Sequence, residues 1–154
     1  MGNSEKCAEA MQKVITEILE KFAYMFVDPL KLEAIPQTGN DFICARMTFG
    51  GDQKGCLTLL VPRPASQAIT ANILGLEEGD EFIKDHLEDG MKELLNIMGA
   101  HILTEVVGEH VNLNINIPQV EPFTDEDWKL LVASGQAVAV LGDSHPIVVQ
   151  MSMD

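Results

Sequence analysis

Basic side chains are scarce in this sequence: 10 lysines and arginines stand against 24 aspartates and glutamates, a net charge of −14 over 154 residues. So acidic a chain repels phosphate backbones and anionic headgroups, which argues against nucleic acid and membrane surfaces as partners. Aromatics make up only 5%, so the core has to rest on aliphatics and the eight methionines. Cysteine is sparse too. Cys7, Cys44 and Cys56 are odd in number and widely spaced, with no CxxC pair, which fits a reducing compartment rather than a disulfide framework. No N-terminal stretch joins a basic start to an apolar run and a cleavage site, so no signal peptide is expected. The longest nearly apolar run, Val132 to Leu141, contains Ser, Gly and Gln and is too short to cross a bilayer. These absences lead to the expectation of a cytoplasmic protein with a single domain over residues 1–154.

Hydrophobic residues supply 46% of the chain, enough for a real core. From Ser4 to about Val27, Cys7, Met11, Val14, Ile15, Ile18, Phe22, Met25 and Phe26 recur at helical spacing, and Asp28-Pro29 is the expected stop. Strands are expected around Leu30–Ile35, Phe42–Phe49 and Gly55–Val61, with Gly50-Gly51-Asp52 as a hairpin turn between the last two. Pro62 and Pro64 open a short helix, Ala65–Leu74, closed by Gly75. A second long helix is expected from about Glu81 to Val107, ending at Gly108. Strands near Val111–Gln119, Ala137–Leu141 and Ile147–Met153 complete the chain, with Gly142-Asp143 turning between the last two. Phe123–Val132 reads as a short helix with Thr124 as N-cap and Asp127 three positions later.

The two halves resemble each other. Met11-Gln12-Lys13-Val14-Ile15-Thr16 aligns with Met91-Lys92-Glu93-Leu94-Leu95-Asn96. Ile35-Pro36-Gln37 recurs as Ile117-Pro118-Gln119, and a Gly-Asp pair sits in each final hairpin. The common order implies a duplicated unit of one long helix followed by antiparallel strands. The expected fold is therefore α+β: one sheet of about six strands with both long helices packed on one face.

The chemistry is concentrated on the second long helix. Leu87, Met91, Leu94, Leu95, Met98, Ile102 and Val106 form its apolar face, while Asp89, Glu93, Asn96 and Ala100 fall in a narrow sector almost opposite. Glu93 and Asn96, three apart, are surface neighbours. Ala100, one turn on, adds no bulk, and Gly99 lies beside it. An acid and an amide outside a helix are by themselves an ordinary solvated face; the pattern around them sets these two apart. Asp89-Gly90-Met91-Lys92-Glu93-Leu94-Leu95-Asn96-Ile97-Met98-Gly99-Ala100 resembles the signature helix of the CheC/CheX/FliY phosphatases: Asp, Glu four residues later, Asn three after that, then small residues. Gly55-Cys56-Leu57-Thr58-Leu59-Leu60-Val61 running into Pro64–Gly75 is similar to the same family. Lys13 and Thr16 occupy the equivalent first-helix positions, so the single-site, CheX-like members are the nearer match. His101 follows Ala100 where many members have a second small residue and another Asn.

The resemblance implies an aspartyl-phosphate phosphatase acting on a phosphorylated CheY-type response regulator, with Glu93 and Asn96 catalytic and Asp89, Ile97 and Ala100 in docking. It implies no cofactor of the chain's own, the Mg²⁺ being supplied by the regulator, and a homodimer. The alternative is a non-catalytic module of the same fold that binds or dimerises in a signalling pathway. Other motifs carry less. His101 and Glu105 have metal-ligand spacing, but no HExxH or cysteine cluster supports them. Gly50–Gly55 suits a hairpin better than a nucleotide loop.

Overall fold

A computed structural model describes residues 2–77 and 79–154, with side chains from residue 5 onward. The elements in chain order are α1 (Gly2–Phe22), β1 (Val27–Leu30), a 3₁₀ turn (Leu32–Ala34), β2 (Phe42–Gly51), β3 (Gly55–Pro62), α2 (Arg63–Leu74), α3 (Phe82–Asp85), α4 (Leu87–Val106), β4 (Leu113–Ile115), β5 (Gln119–Glu121), α5 (Asp125–Ser134), β6 (Ala137–Gly142) and β7 (His145–Met153). One antiparallel sheet of seven strands runs β1-β6-β7-β3-β2-β4, with β5 also paired to β2.

The duplication is visible in this order. Each half contributes a long helix, a hairpin (β2–β3 or β6–β7) and crossing strands, β1 from the first half and β4 and β5 from the second. Each crossing strand leaves its own half to pair with the other half's hairpin: β1 on β6, and β4 and β5 on β2. The two hairpins meet at the centre, where β3 pairs with β7 from Gly55↔Met153 to Leu60↔Val148. Both long helices and α2 pack on one face, over a core that includes Met11, Ile15, Leu57, Leu59, Met91, Leu95 and Val149. A smaller cluster on the opposite face is covered by Trp128 and Leu131 of α5 and includes Phe42, Cys44, Leu60 and Val148. Thr124 and Asp127 cap α5 reciprocally, the Asp127 N–H donating to Thr124 Oγ1 at 3.1 Å and the Thr124 N–H to Asp127 Oδ2 at 2.9 Å.

Several boundaries differ from expectation. α1 ends at Phe22 rather than Val27 because Tyr24 adopts a left-handed φ of 54°. Ala23 and Met25 stay buried, but Phe22 and Phe26 turn outward. Asp28-Pro29 lies inside β1 rather than stopping a helix; β1 is an edge strand, where proline's missing N–H breaks no central ladder. Leu32–Ala34, expected as strand, forms the 3₁₀ turn. The strand expected over Val111–Gln119 is split into β4 and β5 at Ile117-Pro118, where proline has no N–H to donate; Asn116 stitches the gap by donating its backbone N–H to Thr48 O at 3.0 Å. β2 runs on through Gly50 and Gly51, so its turn to β3 spans Asp52–Lys54. The β6–β7 turn is Asp143-Ser144, with φ of 47° and 70°, rather than Gly142-Asp143. α5 starts and ends two residues later than expected. The long helix from Glu81 is broken at His86, whose φ of −121° separates α3 from α4.

Candidate functional site

The inward side of α4 sets what its outward side can present. Met91, Leu94, Leu95, Met98 and Ile102 are all 0% exposed. Each contributes about 1.5–3 kcal/mol of apolar burial, so together they lock the helix's rotation about its axis. Two glycines bring the helix close to its neighbours. A Cβ on Gly90 would overlap Thr70 Oγ1 and lie 2.7 Å from Thr70 Cβ, so the bare backbone lets α2 pack against the first turns of α4. Thr70 Oγ1 is buried with no hydrogen-bond partner and rests against this glycine. Gly99 lies over the sheet, where a Cβ would meet Met47 Cε.

With that phase fixed, Asp89, Glu93, Asn96 and Ala100 are all exposed and Ile97 is half-buried at the edge of the core. The structure thus brings the acid and the amide together on one outward ridge, with Ala100 beyond them and no bulk over it. Among the described residues neither the Glu93 carboxylate nor the Asn96 carboxamide has a hydrogen-bonding or ion-pairing partner. Both are free to engage another molecule.

Asp89 is different. Its Oδ2 accepts a hydrogen bond from His86 Nδ1 at 2.8 Å, and the His86 ring stacks on Phe82 with centroids 3.8 Å apart and planes 30° apart. Phe82 itself is 52% exposed. Sequence reasoning missed this unit because it ran one helix through His86. Asp89 also borders an open polar cleft of about 560 Å³, with Asp41, Arg63, Lys84, Asp85 and Glu121 among its lining. At the other end of the ridge, His101 Nδ1 donates to Ile97 O at 2.8 Å and Thr104 Oγ1 to Ala100 O at 2.9 Å. His101 is therefore turned onto its own helix. Among the described residues no group of His, Cys, Asp or Glu is arranged to hold a metal ion, and no helix is long and apolar enough to cross a membrane.

The class this defines is a duplicated α+β sheet-and-helix domain whose candidate chemistry projects from a helix instead of lining a pocket. The family described as chemotaxis phosphatase CheX matches residues 43–142, a span that includes all of α4, and the chain belongs to that family. A search of curated proteins returns no match. Solved structures share the fold at low identity. CheX from Desulfovibrio desulfuricans is 13% identical with a TM-score of 0.68, covering 96% of this chain and 99% of that one. CheX from Borrelia burgdorferi, in a CheX–CheY–BeF3–Mg²⁺ complex, is 15% identical with a TM-score of 0.65, covering 94% and 96%. Thermotoga maritima FliY is 12% identical with a TM-score of 0.59, covering 97% and 89%.

Proposed function

We propose that this chain hydrolyses the aspartyl phosphate of a CheY-type response regulator, using Glu93 and Asn96. The observation that carries the reading is the exposed, unpartnered acid–amide pair on a helix whose other side is fully locked. Membership of the CheX family and the Borrelia CheX–CheY complex support a receiver domain as the partner.

The chemistry asks little of such a surface. An aspartyl phosphate is an activated acyl phosphate, and the regulator contributes Mg²⁺ and its own acidic pocket. The missing component is a water held in line with the bond to be broken. The Asn96 carboxamide offers one acceptor and two donors without changing protonation, so it can hold that water. Attack at phosphorus forms the new P–O bond as the bond to the aspartyl oxygen breaks, releasing phosphate and a free carboxylate. Glu93 accepts a charge-assisted hydrogen bond from a lysine of the regulator and fixes the angle of approach. Asp89, Ile97 and Ala100 contribute to docking, Ala100 by leaving room for the partner's backbone.

Asn96→Ala should slow regulator dephosphorylation by on the order of 10²-fold or more, the usual cost when positioning is the main contribution. Affinity for the regulator should be retained. The check is acyl-phosphate decay alongside a binding isotherm for the same regulator. Near-normal decay with N96A would overturn the assignment. A wild-type chain that binds the regulator without accelerating decay would instead be a non-catalytic binding module.

A further inference from the structure

The ridge does not stop at Asp89. His86, Asp89, Glu93, Asn96 and Ala100 are spaced 3, 4, 3 and 4 residues apart, so the stripe continues N-terminally across the helix break into the Phe82–His86 stack. An Asp side chain at this position has no other partner to orient it: the hydrogen bond to His86, at 2.8 Å, is its only one among the described residues. The break at His86 makes this contact possible. With φ −121° and ψ 17°, His86 leaves the helical path, and its ring lies between Phe82 of α3 and Asp89 of α4. α3 has four residues and is too short to hold its own place.

We infer that His86 is a positioning residue for the docking surface, fixing the Asp89 carboxylate beside Glu93 so that a receiver domain meets two oriented acids rather than one. The inference rests on the proposed phosphatase reading for its partner, and it concerns binding rather than the hydrolytic step. Its physical content is that the hydrogen bond, not the ring, does the positioning. His86→Phe keeps the ring that stacks on Phe82 but removes the donor. His86→Asn keeps an N–H donor at the same reach as Nδ1 but removes the ring.

The test measures Kd for a CheY-type receiver domain loaded with BeF3⁻ and Mg²⁺, together with KM and kcat for the phosphorylated domain. H86F is expected to raise Kd and KM by about three- to tenfold, the scale of one charge-assisted hydrogen bond at a partly exposed site, with kcat unchanged. Asp89→Ala is expected to do the same. The double variant H86F/D89A should be no worse than D89A alone, because His86 acts only through Asp89. H86N should recover most of the affinity. Losses that multiply in the double variant, a fall in kcat, or H86N as weak as H86F would each overturn the inference. The Kd arm is independent of hydrolysis, so it still decides the inference if the wild-type chain proves not to accelerate decay. Failure to bind any receiver overturns both readings.

Discussion

Residues of the same polarity class do quite different things in this fold, depending on which side of the sheet or helix they occupy. The outward placement of Glu93 and Asn96 was legible from the sequence because the helix phase was legible: Met91, Leu94, Leu95, Met98 and Ile102 mark one side so strongly that the opposite sector follows by geometry. The His86–Asp89 contact was not legible. No glycine or proline flags the break at His86, and an i,i+3 pair means little until the local backbone is known. Cys44 shows the same dependence on placement. It is 3% exposed beneath α5, and burial pushes its thiol up from an ordinary 9.0 to about 12. Glu121 and Asp127 add to the rise, and Arg46 opposes it. A thiol in that range carries almost no thiolate at neutral pH, and the thiolate is the reactive form. At pH 8, Cys44 should therefore resist iodoacetamide in the native protein and react only once denatured, as peptide mapping of labelled sites would show. The sign of the stability effect follows from the raised native value. Below pH 9 both folded and unfolded thiols keep their proton, whereas between pH 9 and 12 only the unfolded one loses it. Stability should thus fall across that window, and the melting temperature should drop less steeply in Cys44→Ala than in the wild type. Native-state labelling of Cys44 at the rate of a free thiol would contradict this account.

The elements show where periodicity suffices and where it does not. α2 and α5 were readable end to end within about two residues because each carries a chemical signal at one end. Gly75 adopts a left-handed φ of 69° at the C-cap of α2, and Thr124 with Asp127 forms the capping box of α5. The sequence overstates the length of α1 because Phe22 and Phe26 continue an apolar rhythm that the backbone abandons at Tyr24, a residue type that rarely takes positive φ. The split of β4 from β5 was likewise hidden within one apolar stretch, although Pro118 was its signal. Packing between elements cannot be seen in periodicity at all, and α4 supplies the sharpest example. Gly90 and Gly99 look equivalent in the sequence, yet they meet unlike neighbours. A methyl at Gly90 runs into the β-branched Thr70, which cannot swing aside while α2 is anchored by Ile69. A methyl at Gly99 meets the far end of Met47, which can. Gly90→Ala should therefore cost about 1–3 kcal/mol, the usual price of overpacking a tight core, partly offset by alanine's better helix propensity. Gly99→Ala should be close to neutral. Urea denaturation of the two variants side by side distinguishes them, and equal midpoints would show that Thr70 does not restrict the approach of α2.

Across the whole molecule the internal duplication organises the fold but not the chemistry. The alignment of Met11–Thr16 with Met91–Asn96 implied two related halves, and the crossing of β1 to β6 and of β4 and β5 to β2 gives that relation a physical form. The same offset places Glu9, Lys13, Thr16 and Glu20 of α1 where α4 has Asp89, Glu93, Asn96 and Ala100. At three of these four positions the chemistry is lost. Lys13 would repel the partner lysine that the proposed function pairs with Glu93. Thr16 is half-buried and carries no carboxamide, and Glu20 sets a charged side chain where Ala100 leaves open space. The apolar cleft of about 520 Å³ between the first turns of α1 and the last turn of α4 adds a further asymmetry. Ala10 in its lining is the counterpart of Gly90, yet here no α2-like helix covers the position among the described residues. On the proposed function a receiver domain thus has one complementary ridge per chain, and α1 offers it none. Calorimetric titration with a BeF3⁻-loaded receiver should give one site per chain, and Lys13→Ala/Thr16→Ala should leave both that stoichiometry and the turnover rate unchanged. Two sites per chain, or loss of turnover in the α1 double variant, would mean that the first helix had kept a role that its charges and burial deny it.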